Sequence, residues 1–287
     1  VSQLQYYAPG SVEDAVKALG AGGRAMSGGT DLLVQLRAGR LPPGPIVDLK
    51  NVAGTQGIRQ ENGGWIIGAA TPAALLGEHA GLVAAWPGVV EGAGLIGSTQ
   101  IQNRASLAGN LCNASPAADS VPALIAARAT CIVAGPGGRR EVPVQAIVTG
   151  VGKTSLGPGE FVLEIRLPPR PPRAADAYLR AIPRTEMDIA VAGAGADIVL
   201  DEAGVCQDVR VVLGAVAPTA VIVAGASAAL VGFRLDEAAL ERLDSAAQVV
   251  CRPISDKRGT VEYRTRIAGV LARRAVAIAW ERAEKRA

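Results

Sequence analysis

An α/β fold in two parts is predicted, residues 1–173 and 174–287, and three observations predict it. Short runs of Val, Ile, Leu and Ala alternate with segments that carry helix caps and helical spacing. Two loops built of small and hydroxyl residues, Ser27–Asp31 and Gly94–Ser120, lead into helical pattern. The run Pro168-Pro169-Arg170-Pro171-Pro172-Arg173 admits neither a helix interior nor a central strand, so it divides the chain.

Each element has its own signal. Ser11-Val12-Glu13-Asp14 is a capping box with Ala15, Val16 and Leu19 on one face, so a helix is expected over 11–19 with Gly20 as its stop. Arg24–Ser27 reads as a strand entering the Gly28-Gly29 turn. Thr30 or Asp31 is placed to cap a helix over Leu32–Ala38, which Pro42-Pro43 prevents from continuing. Ile46–Leu49 reads as a buried strand, and Trp65–Thr71 as another that enters a helix near Pro72. Residues 82–97 have helical pattern and deliver the chain to the long loop. Asp119 is placed to cap a helix over Ser120–Arg128. Thr130–Ala134 and the segment around Glu141–Val144 read as a hairpin across Gly135–Gly138, and Glu160–Leu167 as a strand. In the second part, strands are expected over Ala177–Ala181, Ile189–Ala196 and Val209–Ala215. A helix over Leu235–Val250 turns Leu240 and Leu243 inward. A long helix over Thr260–Arg286 has Tyr263, Ile267, Val270, Leu271 and Ile278 at core spacing, with Arg264, Arg266, Arg273 and Arg274 on a solvated face.

Composition narrows the chemistry. With 287 residues and 49% apolar residues the chain is long enough for two modest domains. Aromatics are only 3%, so the core must be aliphatic. A net charge of +3 gives no argument for nucleic acid. Cys112, Cys131, Cys206 and Cys251 are isolated and fit reduced thiols in the cytoplasm; no spacing suits zinc or iron–sulfur ligation. His79 is the single histidine, which excludes a Ser-His-Asp triad and a multi-His metal site. Val1–Tyr7 has neither the basic nor the apolar region of a signal peptide. Arg210–Arg234 is uncharged between its ends, but Gly214, Pro218, Thr219, Gly225, Ser227 and Gly232 interrupt it, so core rather than membrane insertion is expected.

The two small-residue loops carry the chemical signal. A loop dense in Gly, Ser and Ala exposes backbone N–H groups that need acceptors, and a diphosphate is a suitable one. Gly28-Gly29 permits positive φ and close approach to a ligand. Two tempting motifs fail. Gly20-Ala21-Gly22-Gly23-Arg24-Ala25 has the dinucleotide fingerprint but runs from helix to strand, the reverse of what that motif requires. Gly152-Lys153-Thr154 resembles a P-loop end, but Ile147 stands where the upstream Gly belongs.

Four segments, in order, resemble the FAD-binding medium subunits of molybdenum hydroxylases, which include the xanthine dehydrogenase and aerobic carbon monoxide dehydrogenase families. Ser27-Gly28-Gly29-Thr30-Asp31 is similar to their A-G-G-x-[ST/D]. Gln100–Asn110 is similar to Q-I-R-N-x-G-[ST]-[IL]-G-G-N, and Asn113–Ser120 to N-A-S-P-x-[AG]-D-[ST]. Ser255-Asp256-Lys257-Arg258-Gly259 with Glu262-Tyr263-Arg264 is similar to their C-terminal signature. The resemblance implies a PCMH-type FAD-binding domain over 1–173, with subdomains of about 1–55 and 56–173. A C-terminal α+β domain of the carbon monoxide dehydrogenase flavoprotein type would follow.

It also implies residues for FAD. The diphosphate is expected between Ser27, Gly28, Gly29, Thr30 and Asp31 on one side and Ile101, Arg104, Ser106, Leu107, Ala108, Gly109 and Asn110 on the other. Ala69 ends a strand that reaches the cofactor. Asp119 would accept from FAD hydroxyls, and Val162 would touch the cofactor from its strand. Arg184, Asp188 and Ile189 belong to a loop expected near the flavin ring, with Ile189 making an apolar rather than a stacking contact. Gln102 and Ala108 depart from the family's Arg and Gly. No His adjoins the first loop, so non-covalent FAD is expected. The implied role is electron transfer within a complex. A molybdenum-containing large subunit and a small subunit with [2Fe–2S] clusters would be partners, in a dimer of heterotrimers. FAD would pass electrons to NAD or another acceptor. The alternative is a free-standing flavoprotein, for which Asp188, Glu186 and Arg184 are the available acid–base candidates.

Overall fold

Three sheets, each covered by helices, build the protein in a computed structural model that describes residues 5–185 and 187–286. The readings that fall on Val1–Leu4 and on Glu186 lie outside the described residues. The first sheet is parallel, with β3 (Ile46–Asp48) between β1 (Tyr6–Tyr7) and β2 (Arg24–Met26). Helix α1 (Val12–Gly20) precedes β2, and Ser11 caps it by accepting the Asp14 amide at 3.1 Å. Helix α2 (Leu32–Arg37) follows β2 and buries none of its residues.

The second sheet is antiparallel in the order β4-β5-β10-β6-β7. Its strands are β4 (Ile58–Glu61), β5 (Gly64–Gly68), β6 (Thr130–Gly135), β7 (Gly138–Pro143) and, after the small hairpin β8 (Val148–Gly150) and β9 (Lys153–Thr154), β10 (Phe161–Leu167). Six helices fill the passage from β5 to β6: α3 (Ala73–Glu78), α4 (Ala80–Ala85), α5 (Pro87–Gly94), α6 (Thr99–Gln102), α7 (Leu107–Cys112) and α8 (Ser120–Ala126). They bury Leu76, Leu82, Val89, Leu111 and Leu124 against Ile67, Cys131, Val133 and Ile165 of the sheet. The helix expected over 82–97 is two helices. Trp86 leaves helical geometry and Pro87 opens the next helix at its first position, where its missing N–H costs nothing. Strand β4 escaped the sequence reading because Ile58-Arg59-Gln60-Glu61 is a largely exposed edge with little apolar content.

The third sheet is antiparallel: β11 (Ala174–Ala181), β12 (Ala192–Leu200), β13 (Cys206–Gly214) and β14 (Val221–Ile222), followed by α9 (Ala226–Leu230), α10 (Glu237–Val250) and α11 (Val261–Glu284). The strand expected from Ile189 begins later, because Ile189 to Val191 precede the ladder that β12 makes with β11. On α11 the buried stripe is Ala268, Leu271, Ala272, Ala275, Val276, Ala279, Trp280 and Ala283. Two assignments on this helix are corrected. Tyr263 is 49% exposed and Arg264 only 4%, because Nη1 and Nη2 of the Arg264 guanidinium find partners inside, the Val191 carbonyl (2.8 Å) and Asp256 (2.6 Å), while Nε is left unpaired.

The third sheet leans on the helices of the first part. A Cβ at Gly195 in β12 would stand 2.8 Å from the Pro122 backbone, so only glycine lets α8 approach this closely. Along β11, Val89 donates its amide to Asp176 (3.0 Å) and the Tyr178 amide donates to Glu91 (2.9 Å), which covers the sheet's edge with α5. Arg170, from the proline-rich run, stacks 3.6 Å over Trp86 and pairs with Asp176 (3.0 Å) and Asp197 (3.2 Å). Both carboxylates are buried; without the guanidinium Asp197 keeps Arg128 (3.1 Å) but Asp176 is left with no cation in the interior. Arg170→Met is therefore expected to cost about 3–5 kcal/mol of unfolding free energy in urea titration; a cost under about 1 kcal/mol would show the pairs to be screened like surface ones.

Candidate cofactor site

Three short elements bring the first loop to its place. Strand β2 ends at Met26, and Ser27–Asp31 turns at its tip into α2. The Lys50 ammonium, held by both oxygens of Asp48 (2.6 and 2.7 Å), donates to the Ser27 carbonyl at 3.2 Å. Burial works to raise the Asp48 carboxyl, but donors from Lys50 and from the Tyr6 hydroxyl override it and hold it below its ordinary value. Neither Thr30 nor Asp31 caps α2. Asp31 is already in helical geometry and its side chain makes no capping bond, so the start of α2 is left open.

The second loop meets the first directly. A Cβ on Gly28 would overlap the Arg104 carbonyl, so the two backbones touch with no room for a side chain. The Ser27 hydroxyl donates to the Ala69 carbonyl (3.2 Å) and lies 3.1 Å from that of Ser106. Ser106 in turn accepts the Gly109 amide at 3.1 Å and so caps α7. Between the loops opens a cavity of about 410 Å³, lined by Ser27, Gly28, Gly29, Thr30 and Asp31 from one side and Ser106, Gly109 and Asn110 from the other. Its volume is in the range of small-molecule sites.

The remaining expected residues divide clearly. Leu107 and Ala108 are buried behind the cavity, Ile101 lies in α6, and Ala69 serves through its carbonyl to Ser27. None of these side chains is on the cavity wall. Arg104 meets the first loop with its backbone while its side chain is exposed. Val162 is buried in the core between sheet and helices, and its side chain lines neither of the two cavities. Asp119 is corrected as a helix cap. It is in helical geometry, makes no cap, and gives its carboxylate to the Tyr178 hydroxyl (3.0 Å) and Arg180 (2.6 Å). Burial pushes this carboxyl up to about 6 against the pull of both partners.

Several wall residues were not anticipated. Gln35 reaches across to donate to the Asn113 side chain at 2.9 Å, and both line the cavity with Met26, Cys112 and Gly152. Asn113 stands in one of the quoted motifs, so the signal was present there. Gly152 was set aside with the failed P-loop, yet its amide donates to the Ala114 carbonyl at 2.9 Å at the cavity's edge.

A second cavity of about 300 Å³ has Ser115 and Val151 on its wall, close in sequence to Asn113 and Gly152 on the wall of the first. It is mostly apolar, lined by Pro116, Ala117, Ile189, Ala190, Ala215, Pro218, Pro253 and Ile254, with Arg252, Asp256 and Arg264 at its side. Ile189 thus reaches a wall, whereas Arg184 and Asp188 stand behind it, paired with each other (3.3 Å) and, for Asp188, with Arg258 (3.0 Å). His79 lies at neither cavity. It caps α4 by accepting the Leu82 amide (3.2 Å) and packs edge-on to Trp65. Among the described residues no group of three or more His, Cys, Asp or Glu is gathered to hold a metal ion, and no helix is long and apolar enough to cross a membrane. Because Ser106 both caps α7 and bonds the first loop, Ser106→Ala is expected to lower stability by about 1–2 kcal/mol in denaturant unfolding.

Known proteins share this arrangement. Residues 2–170 match the model of the FAD binding domain in molybdopterin dehydrogenase, and residues 177–279 that of the CO dehydrogenase flavoprotein C-terminal domain. The carbon monoxide dehydrogenase medium chain of Afipia carboxidovorans is 34% identical over 99% of this chain and 98% of its own. The putative xanthine dehydrogenase FAD-binding subunit XdhB of Escherichia coli is 30% identical over 94% of each. A chain of the carbon monoxide dehydrogenase structure from Hydrogenophaga pseudoflava superposes with a TM-score of 0.93 at 32% identity, over 98% of both chains. The paired loops, the two cavities and these likenesses together place the chain in the family of FAD-binding medium subunits of molybdenum hydroxylases, an oxidoreductase flavoprotein family.

Proposed function

We propose that this chain holds FAD along both cavities and carries electrons within a molybdenum hydroxylase complex. The contact of the two loops at Gly28 and Arg104 carries the reading, because it makes one cavity from parts of the chain that are far apart in sequence. The open start of α2 and the loop amides suit the diphosphate, and the apolar second cavity suits the flavin ring. The residues present fit such a cofactor: the segments 113–117 and 151–152 contribute to the walls of both cavities, one lined by small and hydroxyl residues and one mostly apolar. FAD when bound supplies a centre that takes electrons singly and releases them in pairs.

The chain's own residues bind, orient and exclude water. Ser27, Gly28, Gly29, Thr30 and Asp31 form one jaw and Ser106, Gly109 and Asn110 the other. Gln35 and Asn113 close the opening between them. Pro116, Ile189 and Ile254 give the ring end a dry wall. Attachment is non-covalent: the only histidine is engaged elsewhere, and burial pushes the Cys112 thiol up to about 12, which keeps it protonated and unreactive. The electrons come from [2Fe–2S] clusters of a small subunit, supplied by a molybdenum-containing large subunit, and leave to NAD or another acceptor. The assembly is a cytoplasmic dimer of heterotrimers.

Native isolation should yield a yellow preparation of three polypeptides, with FAD released by acid. A colourless chain, or a small substrate turned over by this chain alone, would overturn the reading. Gly28→Ala forces a methyl group into the Arg104 carbonyl, and the overlap should weaken FAD retention about ten-fold or more, read as the flavin-to-protein absorbance ratio.

A further inference from the structure

We propose that the Ser255–Gly259 turn and the first turns of α11 are a clamp that positions the segment from Met187 to Val191, and Ile189 with it, on the wall of the second cavity. The proposal rests on the reading of that cavity as the flavin-ring site and assigns a task to a C-terminal signature whose Asp256 and Arg264 stand at the side of that cavity.

Two guanidinium groups hold the loop on either side of Ile189. Before it, the Asp188 carboxylate, 4% exposed, receives Arg258 Nε at 3.0 Å and also takes the Ile189 amide at 2.8 Å. After it, Arg264 Nη1 donates to the Val191 carbonyl at 2.8 Å. A single aspartate ties the two together. Asp256 Oδ1 accepts the Arg258 amide (2.8 Å) and Arg264 Nη2 (2.6 Å), while Asp256 and Gly259 exchange backbone bonds at 3.1 and 3.2 Å. The spacing of the signature follows: Asp256 closes a turn on the residue two ahead, and eight residues on, Arg264 lies on the buried face of α11. Ile189 is half-exposed and its side chain has no polar anchor, so its position depends on these neighbours. A fork of five donors serves two directions at once, which a lysine does not.

The test uses the FAD-loaded full-length protein and the variants Arg258→Met, Arg258→Lys and Asp188→Asn. Two quantities are read: amide hydrogen exchange of the loop, and the visible flavin spectrum. Arg258→Met should speed exchange across the segment from 187 to 191 about ten-fold or more, from the loss of a charge-assisted bond. It should leave FAD content unchanged, because the phosphate loops are untouched. The long-wavelength flavin band should shift and lose its fine structure as water reaches the ring. Arg258→Lys should restore part of both, and Asp188→Asn should repeat the Met phenotype if Arg258→Met does not fold. Unchanged exchange overturns the clamp. Faster exchange with an unchanged spectrum overturns its role at the ring. Wild-type protein that holds no FAD would instead overturn the function proposed above, and the exchange measurement still reads the clamp in that protein.

Discussion

The contact of Gly28 with the Arg104 carbonyl is the constraint on which the site depends. At this point two stretches of backbone approach until no Cβ fits between them. The approach is locked by short polar contacts rather than by bulk: the Ser27 and Ser106 hydroxyls meet, Ala69 accepts from Ser27, and Lys50 fixes the Ser27 carbonyl. Hydroxyls and glycines are the residue types that permit it, since a hydroxyl satisfies a buried polar group with little volume and a glycine adds no side chain at all. The cavity is what remains where the loops diverge.

The same economy joins the first part to the third sheet. Glycine and alanine in β12 let α8 settle close to the strand, and the α11 stripe is largely alanine for the same reason. Close packing of small residues gives many weak contacts in place of a few large side chains, which suits a chain with so few aromatics. Charge is added at the seam. Arg170 stacks on Trp86 and joins Asp176 to Asp197, and Glu91 takes both the Tyr178 amide and Arg282. These pairs fix register more than they add stability, because both partners give up water to form them. The seam matters for function because the second cavity has walls from both sides of it: Pro116 and Val151 from the first part, Ile189 and Ile254 from the second.

Much of this was legible in the sequence, for physical reasons that differ by element. The start of α1 at Ser11 was legible because caps act within a few residues, whereas Gly20, expected as its stop, is its last residue and Ala21 is the C-cap. The 130–143 hairpin was legible because its Gly-rich turn forces the chain back. The continuous helix over 82–97 was misread, since apolar periodicity runs through Trp86-Pro87 while the backbone does not. Arg264 was placed in solvent because an arginine at helical spacing beside three others looks like a charged face; its partners, Val191 and Asp256, are known only once the chain is folded. Asp119 looked like a cap for the same reason, and its partners Tyr178 and Arg180 come from another sheet.

By itself the sequence determined the α/β character and the small-residue loops around Gly28 and Gly109. Both are set by backbone freedom and side-chain volume, which are local properties. Tertiary structure decided which charges are buried, that Val162 packs into the core, that Gly152 and Gln35 border the cavity, and that the C-terminal signature reaches back to Asp188. Those depend on which distant surfaces come into contact, and electrostatic partners across such contacts leave no periodic trace along the chain.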